Sequence, residues 1–224
     1  MTRKLYLILA TVVPAALYTA YALTDGYLWR CLIIVFLLAL VCLLLFQAPK
    51  ERKDKYMKFV PVAFAFSIIG DAFLHVAHEK GAVFFIAGVA AYFIAHLGYI
   101  AFTMRHRNVN GWMFALLCLI FLPYFIFLLV PGISSVGIRI AVLLYTLVSA
   151  FSVSTASAMP MGPTMDRTGK ILVLTGICSL VVSDIILSLH DFVGISTGYF
   201  LLLPLFYLSQ VLVTCGLVHV IKND

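Results

Sequence analysis

Charged side chains are scarce in this sequence. Asp, Glu, Lys and Arg make up 11% of its 224 residues, where a soluble domain carries about a quarter. With 64% hydrophobic residues and a mean hydropathy of +1.12, most of the surface must be solvated by lipid. Strand-like alternation over ten-residue segments is also missing, which argues against a membrane barrel. Long polar segments are limited to 48–58 and 159–170, so there is no room for a separate soluble domain. The five cysteines, Cys31, Cys42, Cys118, Cys178 and Cys215, form no CxxC pair and none lies in a loop. They read as small buried apolar side chains, with no disulfide expected. A P-loop and a GxGxxG are absent, and the one GxSxG match, GISTG at 194–198, lies between two apolar runs and not at a strand–helix turn, which removes the common soluble hydrolase and nucleotide-binding signatures.

What is present is a series of apolar runs near 5–23, 28–47, 58–78, 82–104, 112–130, 136–158, 170–190 and 199–220. Each approaches the roughly 20 residues that a helix needs to cross a bilayer. The reading is an all-α polytopic membrane protein of eight transmembrane helices, residues 1–224 forming one domain. An even count puts both termini on one side. That side holds Arg3, Lys4, Lys50, Arg52, Lys53, Lys55, Lys58, Arg105, Arg107, Arg167, Lys170 and Lys222; the other holds only Arg30, Lys80 and Arg139. This asymmetry makes the termini cytoplasmic. The net charge of +6 then faces anionic lipid head groups and calls for no nucleic-acid partner. The start, MTRKLYLILATVVPAALYTAYA, resembles a secretory signal but is long enough to span, and is read as a retained first helix. The compact loops point to a bacterial inner membrane.

Pro14, Pro123 and Pro204 fall within spans and predict kinks, while Pro160 and Pro163 end the sixth helix. A faint repeat pairs SIIGDAFL in the third helix with LVVSDIIL in the seventh. Asp71 precedes His96 by about the interval that separates Asp184 from Gln210. Two parallel four-helix repeats are one explanation; chance similarity between apolar segments is the other.

Of the acidic residues, only Asp71 and Asp184 lie well within spans; Asp25, Glu51, Asp54, Glu79, Asp166, Asp191 and Asp224 sit in loops or at helix ends. A carboxylate near mid-membrane costs about 2.5–3.5 kcal/mol on the insertion scale, so it normally faces a bundle interior or a cavity. Such a residue can be a neutral, hydrogen-bonded tie between helices. Two at matching depth point instead to a shared function. Two carboxyls on one pocket titrate in separate steps and so supply a general acid and a general base together. The same pair would suit a small proton-coupled transporter, so the aspartates alone do not choose.

His96 is deep in the fourth helix, with Tyr92 and Tyr99 on its face; it is either a satisfied core histidine or a group orienting substrate or carboxylate. His75 and His78 lie nearer the end of the third helix, as pocket-mouth or interfacial residues. His106, His190 and His219 read as interfacial. Asp71, His75 and His96 have the right chemistry for zinc, but no HExxH is present and Asp184 has no neighbouring histidine. No metal or other cofactor is therefore assigned. Ser183, Ser188, Tyr145, Ser149, Tyr207 and Gln210 complete a polar pocket expected between the third, fourth, sixth, seventh and eighth helices.

The combination of GD at 70–71, FxxGxxxYFxAHxxY at 85–99, Tyr145, SD at 183–184 and YLSQ at 207–210 resembles the YhhN family, which includes the lysoplasmalogenases. That resemblance implies an eight-helix hydrolase that cleaves the vinyl ether bond of lysoplasmalogens. Its products would be a fatty aldehyde and a glycerophospho-ethanolamine or -choline. By motif position, Asp71 and Asp184 would be the catalytic pair. His75, Tyr92, His96, Tyr99, Tyr145, Ser183, Tyr207 and Gln210 would surround a lysophospholipid substrate entering from the membrane.

Overall fold

The computed structural model describes residues 1–24, 26–52, 55–104, 109–159 and 167–221, and of Arg52 and His78 the backbone only. Expectations placed on Asp25, Lys53, Asp54, Arg105, His106, Arg107, Pro160, Pro163, Asp166, Lys222 and Asp224, and on the side chains of Arg52 and His78, lie outside the described residues. Eight helices follow in order: α1 (Arg3–Thr24), α2 (Tyr27–Gln47), α3 (Phe59–Lys80), α4 (Ala82–Thr103), α5 (Gly111–Pro123), α6 (Val136–Ser157), α7 (Arg167–Ser188) and α8 (Leu202–Ile221). Among the described residues there is no strand, as hydrocarbon demands of a chain whose backbone groups must pair within each segment. All eight, with α5 counted through its continuation to Gly132, are long and apolar enough to cross a membrane, and large apolar side chains such as Phe46, Trp112 and Phe127 point outward. The chain is a multi-pass membrane protein.

Serine and threonine side chains mid-helix mostly turn back onto their own helix; Thr11 donates to Leu7 O at 2.9 Å and Thr146 to Val142 O at 2.7 Å. Others join helices. Ser179 donates to Leu205 O at 2.9 Å and Ser183 to Leu202 O at 2.8 Å, stitching α7 to α8. Gly176 lets the two backbones approach: a Cβ there would stand 2.9 Å from Ser209 O. Gly176→Ala is therefore expected to lower stability by about 1–3 kcal/mol, read as a fall in the thermal midpoint of the purified protein, because the atom in the way is main chain and cannot swing aside.

Pro123 does distort its helix. Lacking an N–H, it cannot continue the regular ladder, and the chain passes into a widened π-helical turn over Tyr124–Leu129. A second such turn, Leu189–Val193, prolongs α7, and Tyr124 ties the two regions by sharing a 2.7 Å hydrogen bond with Ser188. Pro204 departs from expectation: it lies in the first turn of α8, where a missing N–H leaves no ladder bond unmade. The cysteines also differ. They are free thiols, but only Cys215 is buried in the bundle and Cys42 faces outward, since lipid solvates a thiol as readily as a protein core does.

The main apolar core fills the half of the bundle nearer the termini, from Tyr6 of α1 and Leu37 of α2 to Phe102 of α4, Ile177 of α7 and Leu217 of α8. At the opposite half the helices part around a cavity.

Candidate functional site

That cavity has a volume of about 460 Å³, within the range of small-molecule sites. Both membrane aspartates line it, Asp71 from α3 and Asp184 from α7, together with Arg30, His75, Tyr92 and Ser183. Its wall differs from the one expected. Tyr18 and Tyr21 of α1 and Arg30 of α2 contribute, whereas α6 stands behind Asp184.

The two carboxyls have different surroundings. Asp71 is almost fully buried, and the Arg30 guanidinium donates to its Oδ1 from 2.7 Å. Arg30 is itself held against aromatic rings, its Cζ 5.5 Å from the centre of Tyr27 and 5.9 Å from that of Tyr21, a favourable arrangement for a cation in an apolar setting. Tyr27 stacks in turn on His75, ring centres 3.9 Å apart and 10° from parallel. Gly70 makes room for the opposite wall: a Cβ there would lie 2.6 Å from the Tyr92 ring.

Asp184 faces hydroxyl and imidazole instead. Tyr145 donates to its Oδ2 at 2.7 Å, and His96 Nε2 is 3.0 Å from the Tyr145 oxygen and 3.6 Å from Oδ2. Because the tyrosine proton is committed to the carboxyl, Nε2–H of His96 must be the donor to the tyrosine oxygen. His96 Nδ1 is buried and without a partner. Ser149 Oγ lies 3.4 Å from the same Nε2. Asp184 and Tyr145 also line a narrow crevice between α5, α6 and α7, with Phe121, Tyr124, Val181 and Ile185. The main cavity and this crevice meet at one carboxyl.

Not every expected residue joins this group. Tyr99 donates to Gln210 Oε1 at 2.8 Å; both are buried, and neither lines the cavity. This pair clasps α4 to α8 below the site. Tyr207 is buried with its ring 6.0 Å from that of Tyr18; it is absent from the cavity wall but stands behind it, its hydroxyl beside the Arg30 guanidinium. Ser183 reaches the wall, but its hydroxyl is spent on Leu202 O. For Tyr99→Phe we therefore expect a loss of about 1–3 kcal/mol of stability from the unpaired glutamine oxygen, with the catalytic constant unchanged; melting and turnover measured on one preparation separate the two. Of the three residues weighed for zinc, His96 bonds Tyr145 and His75 stacks on Tyr27. Among the described residues no three His, Cys, Asp or Glu side chains converge on one point.

Arg30 is the functional residue that sequence reasoning missed. It counted only as one of three basic residues on the sparse side, yet it follows Tyr27 by one turn inside an apolar helix. A cation so placed needs an anion, and Asp71 is that anion.

Comparison with known proteins agrees with the motifs. No curated protein and no solved structure matches the chain. The model of the YhhN family matches residues 26–217, from the turn before α2 almost to the end of α8, leaving α1 outside. The match takes in Arg30, both aspartates, Tyr145 and His96, and the chain belongs to the YhhN family.

Proposed function

We propose that the protein hydrolyses the vinyl ether bond of lysoplasmalogens, with Asp184 as general acid and Asp71 as general base. The observation that carries this reading is the unequal dressing of two carboxyls on one cavity. Asp71 is ion-paired with a guanidinium at 2.7 Å and takes the part of the carboxylate base. Asp184 meets a hydroxyl and an imidazole instead and takes the part of the acid.

The reaction uses that asymmetry in a closed cycle. Asp184 gives its proton to the alkene carbon remote from the ether oxygen; the double-bond electrons form the new C–H bond and leave an oxocarbenium ion. Water adds to the carbon attached to oxygen while Asp71 takes a water proton, giving a hemiacetal. The hemiacetal then collapses. Its hydroxyl proton passes to Asp184, the C–O bond to glycerol breaks, and Asp71 returns its proton to the departing glycerol oxygen. A fatty aldehyde and a glycerophospho alcohol leave, and both aspartates regain their starting states. The scheme draws on no metal or redox cofactor. The carboxylate of Asp71 also stabilises the cation, an electrostatic contribution that grows where water is scarce.

The single hydrocarbon chain fits the membrane setting. Phe200, 76% exposed, and Tyr199 stand at the cavity rim, where a lipid can pass sideways from the bilayer. Beyond Asp184 the apolar crevice between α5 and α7 receives the carbons next to the vinyl ether. A bacterial inner membrane, with the termini in the cytoplasm, is the setting that the loop lengths and basic residues favour. Release of fatty aldehyde from lysoplasmalogen by the purified protein in lipid nanodiscs tests the proposal. Substrate disappearance without aldehyde, or none at all, would reject it.

A further inference from the structure

We infer that Arg30 is also the anchor for the substrate's phosphodiester, so that the site takes zwitterionic lysophospholipids and not neutral single-chain lipids. The inference rests on the hydrolase reading for the substrate's backbone, but its test does not.

Among the described residues, Arg30 is the one Lys or Arg side chain on the wall of the main cavity. A guanidinium carries five N–H donors in a planar fork suited to two anions at once. One donor is committed to Asp71 Oδ1, the Tyr207 hydroxyl lies beside the guanidinium, and Nε is buried without a partner. Asp71 Oδ2 is likewise buried and unpaired. The ion pair is therefore made through a single contact, leaving both groups with unused capacity. The rings of Tyr21 and Tyr27 hold the guanidinium beside the cavity.

Charge and connectivity agree with a phosphate there. An anionic phosphodiester on Arg30 would stand beside two carboxyl groups, and the ammonium of an ethanolamine or choline head offsets that crowding of negative charge. Tyr18, Tyr21 and Tyr199 line the same wall, and aromatic rings attract an ammonium. In the substrate only the short glycerol backbone separates phosphate from vinyl ether. A phosphate on Arg30 thus leaves the ether beside Asp71, the residue that Arg30 also holds.

The test is ligand binding, which needs no turnover. Lysophosphatidylcholine and a monoacylglycerol of equal chain length, both esters without a vinyl ether, are titrated against the full-length protein in nanodiscs. Wild type is expected to bind the phospholipid at least tenfold more tightly. Arg30→Gln should weaken the phospholipid by about 10- to 100-fold, as befits a lost charged hydrogen bond, and leave the monoacylglycerol unchanged. If Arg30→Gln does not fold, Arg30→Lys and Asp71→Asn carry the test. The lysine should bind the phospholipid more weakly than arginine, for want of the fork. Asp71→Asn should bind it more tightly, since it releases the guanidinium. Equal wild-type affinity for the two lipids, or phospholipid binding indifferent to Arg30→Lys and Asp71→Asn, overturns the inference. Selective binding without aldehyde release from lysoplasmalogen would keep the anchor and reject the hydrolase.

Discussion

Asp71→Asn and Asp184→Asn are each expected to lower aldehyde release by about 10²–10⁴-fold, the usual contribution of a positioned acid or base. The two losses have different origins. Asparagine at 184 still accepts the Tyr145 hydroxyl bond but has no acidic proton for carbon. Asparagine at 71 still accepts from Arg30 but neither takes a proton from water nor stabilises the cation. Both substitutions are nearly isosteric, so melting temperatures should change far less than rates. The double variant should be little slower than the worse single one, because residues that act in one cycle do not contribute additively. Losses that multiply in the double variant would mean that the carboxyls act independently.

Tyr145→Phe should reduce the catalytic constant by about 10- to 100-fold, with KM little changed. Its hydroxyl is the link between His96 and Asp184, donating 2.7 Å to the carboxyl and accepting from the ring at 3.0 Å. Without it the imidazole N–H keeps only the longer contact to Ser149 Oγ, and the carboxyl loses the bond that fixes its orientation. A stability cost of about 1–3 kcal/mol accompanies this. Tyr145 acts as a positioning residue, and the split between the kinetic constants distinguishes that role from packing. A lower catalytic constant at unchanged KM is expected; a lower melting point with the catalytic constant unchanged would make Tyr145 structural only.

Much of this arrangement is legible in the sequence because lipid makes polar residues conspicuous. Asp71 and Asp184 are costly in mid-membrane, so their presence alone points to an interior site, and both indeed line one cavity. The eight spans follow from hydropathy and the family from short motifs in order. What sequence does not convey is which polar residues meet. Tyr99 and Gln210 carry the same polar signature as Tyr145 and His96, yet the first pair satisfies itself away from the cavity. The matching offsets of His96 and Gln210 suggest that each serves the aspartate of its own hairpin; the structure links His96 of α4 to Asp184 of α7 through Tyr145 of α6. Arg30 stayed hidden because a basic residue near a helix end is counted for topology before its depth is considered. The contribution of α1 was hidden as well, since Tyr18 and Tyr21 look like interfacial aromatics until α1 packs beside α8 and α2.

The central claim is that an enzyme carboxyl protonates carbon and water then adds to the ether carbon. Turnover of lysoplasmalogen in deuterated, ¹⁸O-enriched water, with the aldehyde trapped at once by reduction, tests it most directly. The expected result is one deuterium on the aldehyde's second carbon and no ¹⁸O in the glycerol hydroxyl, since the glycerol keeps its own ether oxygen. An aldehyde without that deuterium, or ¹⁸O in the glycerophospho product, would contradict protonation by Asp184 and the two-aspartate cycle with it.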